Sequence, residues 1–439
     1  MKTLIYNAEI IAEYGITINP GWILIEDERI SALGEGEAVP VAECKIDAQG
    51  DLIIPGMIDT HVHFREPGLT HKADISSESA AAVAGGVTSY FDMPNCVPPT
   101  VTLAAWADKM ERAKATSHVN YAFYIGATNS NLETDILKAD FSQIPGVKLF
   151  LGSSTGNLLV DSQESLEKLF KEVKAVIAVH AEDNRRISDN TAKVKAQFDG
   201  AEIPIKMHPI IRDTQACLDS TTFAVRLAEK TGARLHVLHV STAEEVELLK
   251  GLNSKNITSE TCVQYLTFTD ADYDRLGSRI KCNPAIKSAN DRSALIQAIK
   301  TGNISIVGSD HAPHLLQEKV GDALTAPSGM PNMQFQLPIL LDMFSATEVV
   351  KITAQNPADI FKIEGRGRIK VGAYADMVRV ARIEHTISDA DSLSRCGWTP
   401  ASGMKLRHKV VTTWVNGNIA YNEGKVTDSR FAKSLKFNI

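Results

Sequence analysis

The stretch "IDTHVHFREPGLTHK", residues 58–72, puts two histidines one residue apart and an arginine two places further on. Its first half belongs to the apolar run "MIDTHVHF" (57–64), which reads as a β-strand. On a strand, positions i and i+2 share a face, so His61 and His63 are aimed at one point as the strand ends. Seven more runs of the same kind follow: "TSYFDM" (88–93), "NYAFYIGA" (120–127), "GVKLFLG" (146–152), "AVIAVHAE" (175–182), "RLHVLHVS" (234–241), "ITSETC" (257–262) and "ISIVGSD" (304–310). Amphipathic stretches separate most of them. In "DSQESLEKLFKEV" (161–173), Asp161 reads as an N-cap and Leu166, Leu169, Phe170 and Val173 fall on one side. Eight strands alternating with helices argue for an α/β fold of the (β/α)8 TIM-barrel type. A doubly wound open sheet is the competing arrangement, but no GxGxxG follows a strand.

The two ends read differently. Residues 1–54 and 366–439 carry short strands and turn signals, among them "NG" at 416–417. Neither end alone makes a convincing core. Together they are expected to form one small β-sandwich domain beside a catalytic barrel spanning 55–365. The formal charge of −7 gives no footprint for nucleic acid or an anionic membrane surface. No apolar run approaches the roughly 20 residues that span a bilayer, and the N-terminus lacks a signal-peptide core. The six cysteines, at 44, 96, 217, 262, 282 and 396, form no CxxC pair and suit reduced thiols. A cytoplasmic location is the expectation.

The chemistry-bearing residues recur at strand ends. His180 ends "AVIAVH", His239 ends "RLHVLH" and Asp310 ends "IVGSD". Barrel active sites gather at the C-terminal ends of the strands. With His61 and His63, these residues make a two-metal set that lacks one bridging group. His236 is the rival of His239, but its strand parity differs. The bridging candidate is Lys148 in "GVKLF": a charged amine inside an apolar strand is costly, whereas N-carboxylation by CO2 converts it to a carboxylate able to bridge two cations. A snorkelling or ion-paired lysine is the plain alternative.

The ordered series "DTHVHFREPG", "MPN" (93–95), "GVKLF", "VHAED" (179–183), "HVST" (239–242), "GSDHAPH" (308–314) and "GRGRIKVGAYADMV" (365–378) resembles the amidohydrolase superfamily and, within it, the dihydroorotases. The resemblance covers nearly the whole chain. It implies two divalent metal ions, for which zinc suits the nitrogen and oxygen ligands. His61 and His63 would hold one ion and His180 and His239 the other, with carboxylated Lys148 and a hydroxide bridging them. Asp310 would ligate the first ion and carry the proton. The implied reaction is the reversible cyclisation of N-carbamoyl-L-aspartate to L-dihydroorotate, in pyrimidine synthesis.

Arg65 points to the substrate, because a guanidinium beside two cations is repelled unless an anion lies between them, and it pairs well with a carboxylate. In the family pattern Arg65, Asn95 and His314 hold that carboxylate. Asn283 of "KCNPAIK" (281–287) would reach the ring's amide edge, and "APSGM" (326–330) would face the ring. "GSSTGN" (152–157) resembles a lid in which Ser154 or Thr155 touches substrate, though an ordinary exposed loop explains it equally. One departure stands out: where many members read His-His, this chain has "CVQYL" (262–266). The rival functions are another cyclic amidohydrolase, an allantoinase or a dihydropyrimidinase/hydantoinase, and a catalytically silent scaffold. Family habit implies a homodimer; association with an aspartate transcarbamoylase is open.

Overall fold

The computed structural model describes residues 2–152, 158–160, 162–252 and 254–439. The barrel is built from Met57–Val62 (β1), Val87–Asp92 (β2), Asn120–Phe123 (β3), Gly146–Phe150 (β4), Val176–His180 (β5), Arg234–Val237 (β6), Ile257–Cys262 (β7) and Ile306–Gly308 (β8). Both faces of these strands are covered, which is why they are near-continuous apolar runs: "GVKLF" and "VIAVH" are buried at every position. β1–β2–β3 pair in parallel, as do β4 through β8. Ile125–Gly126 extends β3 and pairs with β4, and a parallel bridge between Val62 and His311 closes the ring. The interior is filled by Ile58, Phe91, Tyr124, Ala178 and Phe361.

The helices begin and end on local signals. Thr214–Thr231 is capped by Asp213, whose side chain accepts from the Ala216 N–H, and it stops at Gly232 in the left-handed region. Gln163–Glu172 takes its cap from Ser162 rather than from Asp161, which lies outside the described residues. Its buried side is Leu166, Leu169 and Phe170.

The chain ends share one sheet, nine-stranded among the described residues. It runs from Lys425–Val426 through Asn418–Asn422, Lys405–Val415, Met377–Thr386, Leu52–Pro55, Lys2–Ile11 and Thr17–Glu26 to Arg29–Glu35, with Cys44–Asp47 pairing to Lys2–Ile11. Asn416 and Gly417, both at positive φ, make the tight turn between Lys405–Val415 and Asn418–Asn422. A buried polar knot ties this sheet to the barrel. Asp376 accepts from Arg366, from the Asn416 N–H at 2.7 Å and from Asn120 Nδ2 at 3.2 Å.

Candidate active site

β1 delivers His61, buried, and the next residue beyond the strand's end is Val62's neighbour His63. Their ring centroids are 5.5 Å apart. His61 Nε2 and His63 Nε2 both approach one oxygen of Asp310, at 3.2 and 3.1 Å. The outward nitrogen of each ring is already committed. His61 Nδ1 donates to Glu260 Oε1, and His63 Nδ1 donates to Asn95 Oδ1 at 2.7 Å. A neutral imidazole donating through Nδ1 presents a lone pair at Nε2. Two lone pairs facing a carboxylate oxygen are mutually repulsive without a cation, so this donor set fits a metal ion.

A second pair sits alongside. His180 Nε2 donates to Glu182 Oε2 at 3.0 Å, which leaves its Nδ1 lone pair 2.8 Å from His239 Nε2. Glu182 is fully buried and paired with Arg212. Burial pushes its carboxyl upward, but Arg212 and His180 prevail and bring it down to about 2. The rings of His61 and His239 are 5.4 Å apart, so the two pairs form one cluster.

Lys148, buried on β4, lines the same cavity, its ammonium nitrogen 4.6 Å from the Phe150 ring centroid. Burial lowers its pKa to about 7. Among the described residues no carboxylate forms an ion pair with it, and Asp310 and Glu260 act on its charge from further off. Asp310 begins no helix; the chain runs on without one through His314.

Three non-glycine residues here, Arg65, His239 and Asp310, have φ of 67°, 42° and 45°. Such conformations cost of order 1–3 kcal/mol each and collect at functional sites. They also explain where strand parity misleads. β6 ends at Val237, and the left-handed turn at His239 re-aims its ring. His236 is buried within the barrel, donating or accepting at Thr258 Oγ1 (2.8 Å) and lying 3.6 Å from Glu260.

The far wall of the cavity, which measures 710 Å³, is polar. Arg65 is buried; its Nε donates to the Pro313 carbonyl at 3.1 Å and its Nη2 lies 3.2 Å from His314 Nε2. Glu66, the neighbouring acid, is engaged instead by Arg112 and the Ile75 N–H. Asn283 Oδ1 accepts from His208 Nε2 at 3.1 Å and Ser328 Oγ at 3.0 Å. Asn283 and Ser328 both border the cavity. Ser154 and Thr155 lie outside the described residues. Glu182, Arg212 and Glu260 are site residues the sequence reading missed. An acid inside a strand, as in "ITSETC", is the same signal that exposed Lys148 and could have revealed Glu260.

Residues 52–420 match the amidohydrolase family. The chain belongs to the amidohydrolase family. It is a cyclic amide hydrolase, and its fold is that of the solved members. It is similar to a dihydroorotase of Halobacterium salinarum, 35% identical over 391 residues, covering 87% of this chain and 89% of that one. A dihydroorotase of Methanosarcina acetivorans is 31% identical over 412 residues, covering 89% and 86%. In three dimensions it resembles the L-hydantoinase (dihydropyrimidinase) of Arthrobacter aurescens, with a TM-score of 0.91 at 26% identity over 99% of each chain. The dihydropyrimidinase of Brevibacillus agri gives 0.88 at 26% identity, covering 97% and 96%.

Proposed function

We propose that this amidohydrolase is a dihydroorotase, interconverting N-carbamoyl-L-aspartate and L-dihydroorotate. The observation that carries the reading is Arg65: a buried guanidinium facing the cavity, with no carboxylate paired to it among the described residues. A buried cation needs a counter-ion, and the substrate's free carboxylate supplies one where an uncharged hydantoin ring would not. Asn95 adds to this end, since its Oδ1 is held by His63 and its amide N–H remains for the anion.

His61, His63 and Asp310 would hold one divalent ion, and His180 and His239 the other, with Lys148 between them as an N-carboxylated lysine. Zinc suits these ligands. Carboxylation joins the neutral Lys148 amine to CO2 and releases one proton. Two such ions, when bound, supply a water acidic enough to ionise near neutrality and polarise the scissile carbonyl. Asp310 takes a proton from the attacking water and returns it to the ring nitrogen as the C–N bond breaks; closure reverses both transfers and releases water. Arg65, Asn95 and His314 fix the carboxylate, and Asn283 faces the ring amide. The barrel, 55–365, carries these residues, and 1–54 with 366–439 form the companion domain.

The test is a substrate panel of L-dihydroorotate, allantoin, hydantoin and dihydrouracil, with wild type and Arg65→Gln. We expect dihydroorotate to be the best substrate. The variant should lose about a hundredfold or more in kcat/KM on it, as for a buried charge-assisted pair. Preference for an uncharged ring, indifferent to Arg65, would assign the chain to the hydantoinase group.

A further inference from the structure

His314 sits in a set of contacts whose hydrogen-bond roles can be solved. Lys72 Nζ lies 3.0 Å from its Nδ1. An ammonium has three donors and no lone pair, so Nδ1 must be the acceptor. Burial, then Arg65, Lys72 and Lys319, bring the His314 pKa down to about 2, so the ring is neutral and its single N–H is on Nε2. That hydrogen finds the Ser328 carbonyl at 3.1 Å. Arg65 Nη2, 3.2 Å from the same nitrogen, is donor-only as well. These two groups therefore cannot bond to each other; a bound carboxylate that takes the Arg65 hydrogen and shares the His314 Nε2–H with the Ser328 carbonyl resolves the contact.

The other tautomer inverts every relation. Nδ1–H would confront the Lys72 ammonium, with Glu318 Oε2 as its nearest acceptor at 3.6 Å. Nε2 would turn a lone pair toward the Ser328 carbonyl and accept from Arg65. That arrangement closes Arg65 onto the protein and leaves no donor pair for an anion. Lys72 itself is held by Glu318 at 3.5 Å, and the Leu315 N–H fixes that carboxylate at 3.0 Å. Gly329, at φ +130°, lets the Ser328 carbonyl come this close: a Cβ there would stand 2.5 Å from the Ala312 carbonyl oxygen and 3.1 Å from His314 Cδ2.

We propose that Lys72 is a positioning residue that locks His314 as an Nε2–H donor, and so makes His314 and Arg65 a two-donor grip for the substrate carboxylate. The grip's ligand rests on the dihydroorotase reading; the tautomer lock does not. Lys72 acts through His314.

Histidine-selective 15N labelling of the metal-loaded enzyme reads the tautomer directly, with His314→Asn assigning the signal. Wild type should show Nδ1 as the lone-pair nitrogen and Nε2 as the protonated one. In Lys72→Met the ring should move to the Nδ1–H form or a mixture, and Lys72→Arg should restore the wild-type pattern. In steady state, Lys72→Met should raise KM for L-dihydroorotate about tenfold while kcat stays within about threefold, as for one lost charge-assisted contact. A Lys72→Met enzyme with unchanged His314 nitrogen signals overturns the proposal. If wild type fails to open dihydroorotate, the functional reading falls, while the nitrogen signals still decide the role of Lys72.

Discussion

At the residue scale, the site is a solved problem in lone pairs. His61, His63 and His180 each spend one nitrogen on an oxygen acceptor, Glu260, Asn95 or Glu182, and so present the other to the cluster. Such outer contacts set ring orientation and ligand basicity. Lys148 is the exception, an amine among imidazoles, and the proposed reading makes it a carboxylate. Lys148→Ala should cut metal content and lower activity by about two orders of magnitude or more, with partial recovery on adding short carboxylic acids. Metal analysis beside kinetic assays checks this. Full turnover in the alanine variant would contradict a bridging lysine.

At the element scale, the segment 326–330, of which Ala326 to Gly329 line the cavity, has no regular structure, so its shape depends on external anchors. Lys319, almost wholly buried, donates to the carbonyls of Pro327 at 2.7 Å, Gly329 at 2.8 Å and Lys281 at 3.2 Å. The Lys281 ammonium in turn donates to the Ala326 carbonyl. One buried ammonium thus holds three carbonyls; the Lys281 carbonyl also accepts from the Gly329 N–H at 2.9 Å, and leaving those of Pro327 and Gly329 unpaired costs about 1–3 kcal/mol each. Lys319→Met should loosen this segment, raising KM about tenfold and speeding amide exchange at 326–330 while the barrel strands keep their protection. Hydrogen exchange by mass spectrometry reads both regions at once; uniform exchange changes would deny Lys319 a local role.

At the scale of the whole molecule, the barrel and the nine-stranded sheet meet at Asp376, which joins Arg366, Asn416 and Asn120. Removing one partner of a buried ion pair leaves the other charge stranded, at about 3–5 kcal/mol. Asp376→Ala should therefore lower the thermal midpoint by several degrees, and a midpoint within a degree of wild type would show that the knot is dispensable. Chelation should act globally too. Ions bound only by the folded state stabilise it by mass action, so exhaustive treatment with a chelator should abolish activity and lower the melting temperature, and adding zinc back should reverse both.

The sequence by itself determined the eight-strand alternation, the tight turn at Asn416–Gly417 and the residues at strand ends. These are local: periodicity, capping and turn chemistry act over a few residues. The ordered motifs also carried the resemblance to the family. Only the tertiary structure decided that His239 turns inward on a left-handed backbone, while His236 stays buried in the barrel against Thr258. It alone placed Glu182 against His180 and Lys72 against His314, 242 positions away along the chain. The physical reason is range. A side chain's neighbours along the polymer fix its backbone, but its hydrogen-bond role, and hence its chemistry, is set by whichever partners the closed barrel brings within 3 Å or so of its polar atoms.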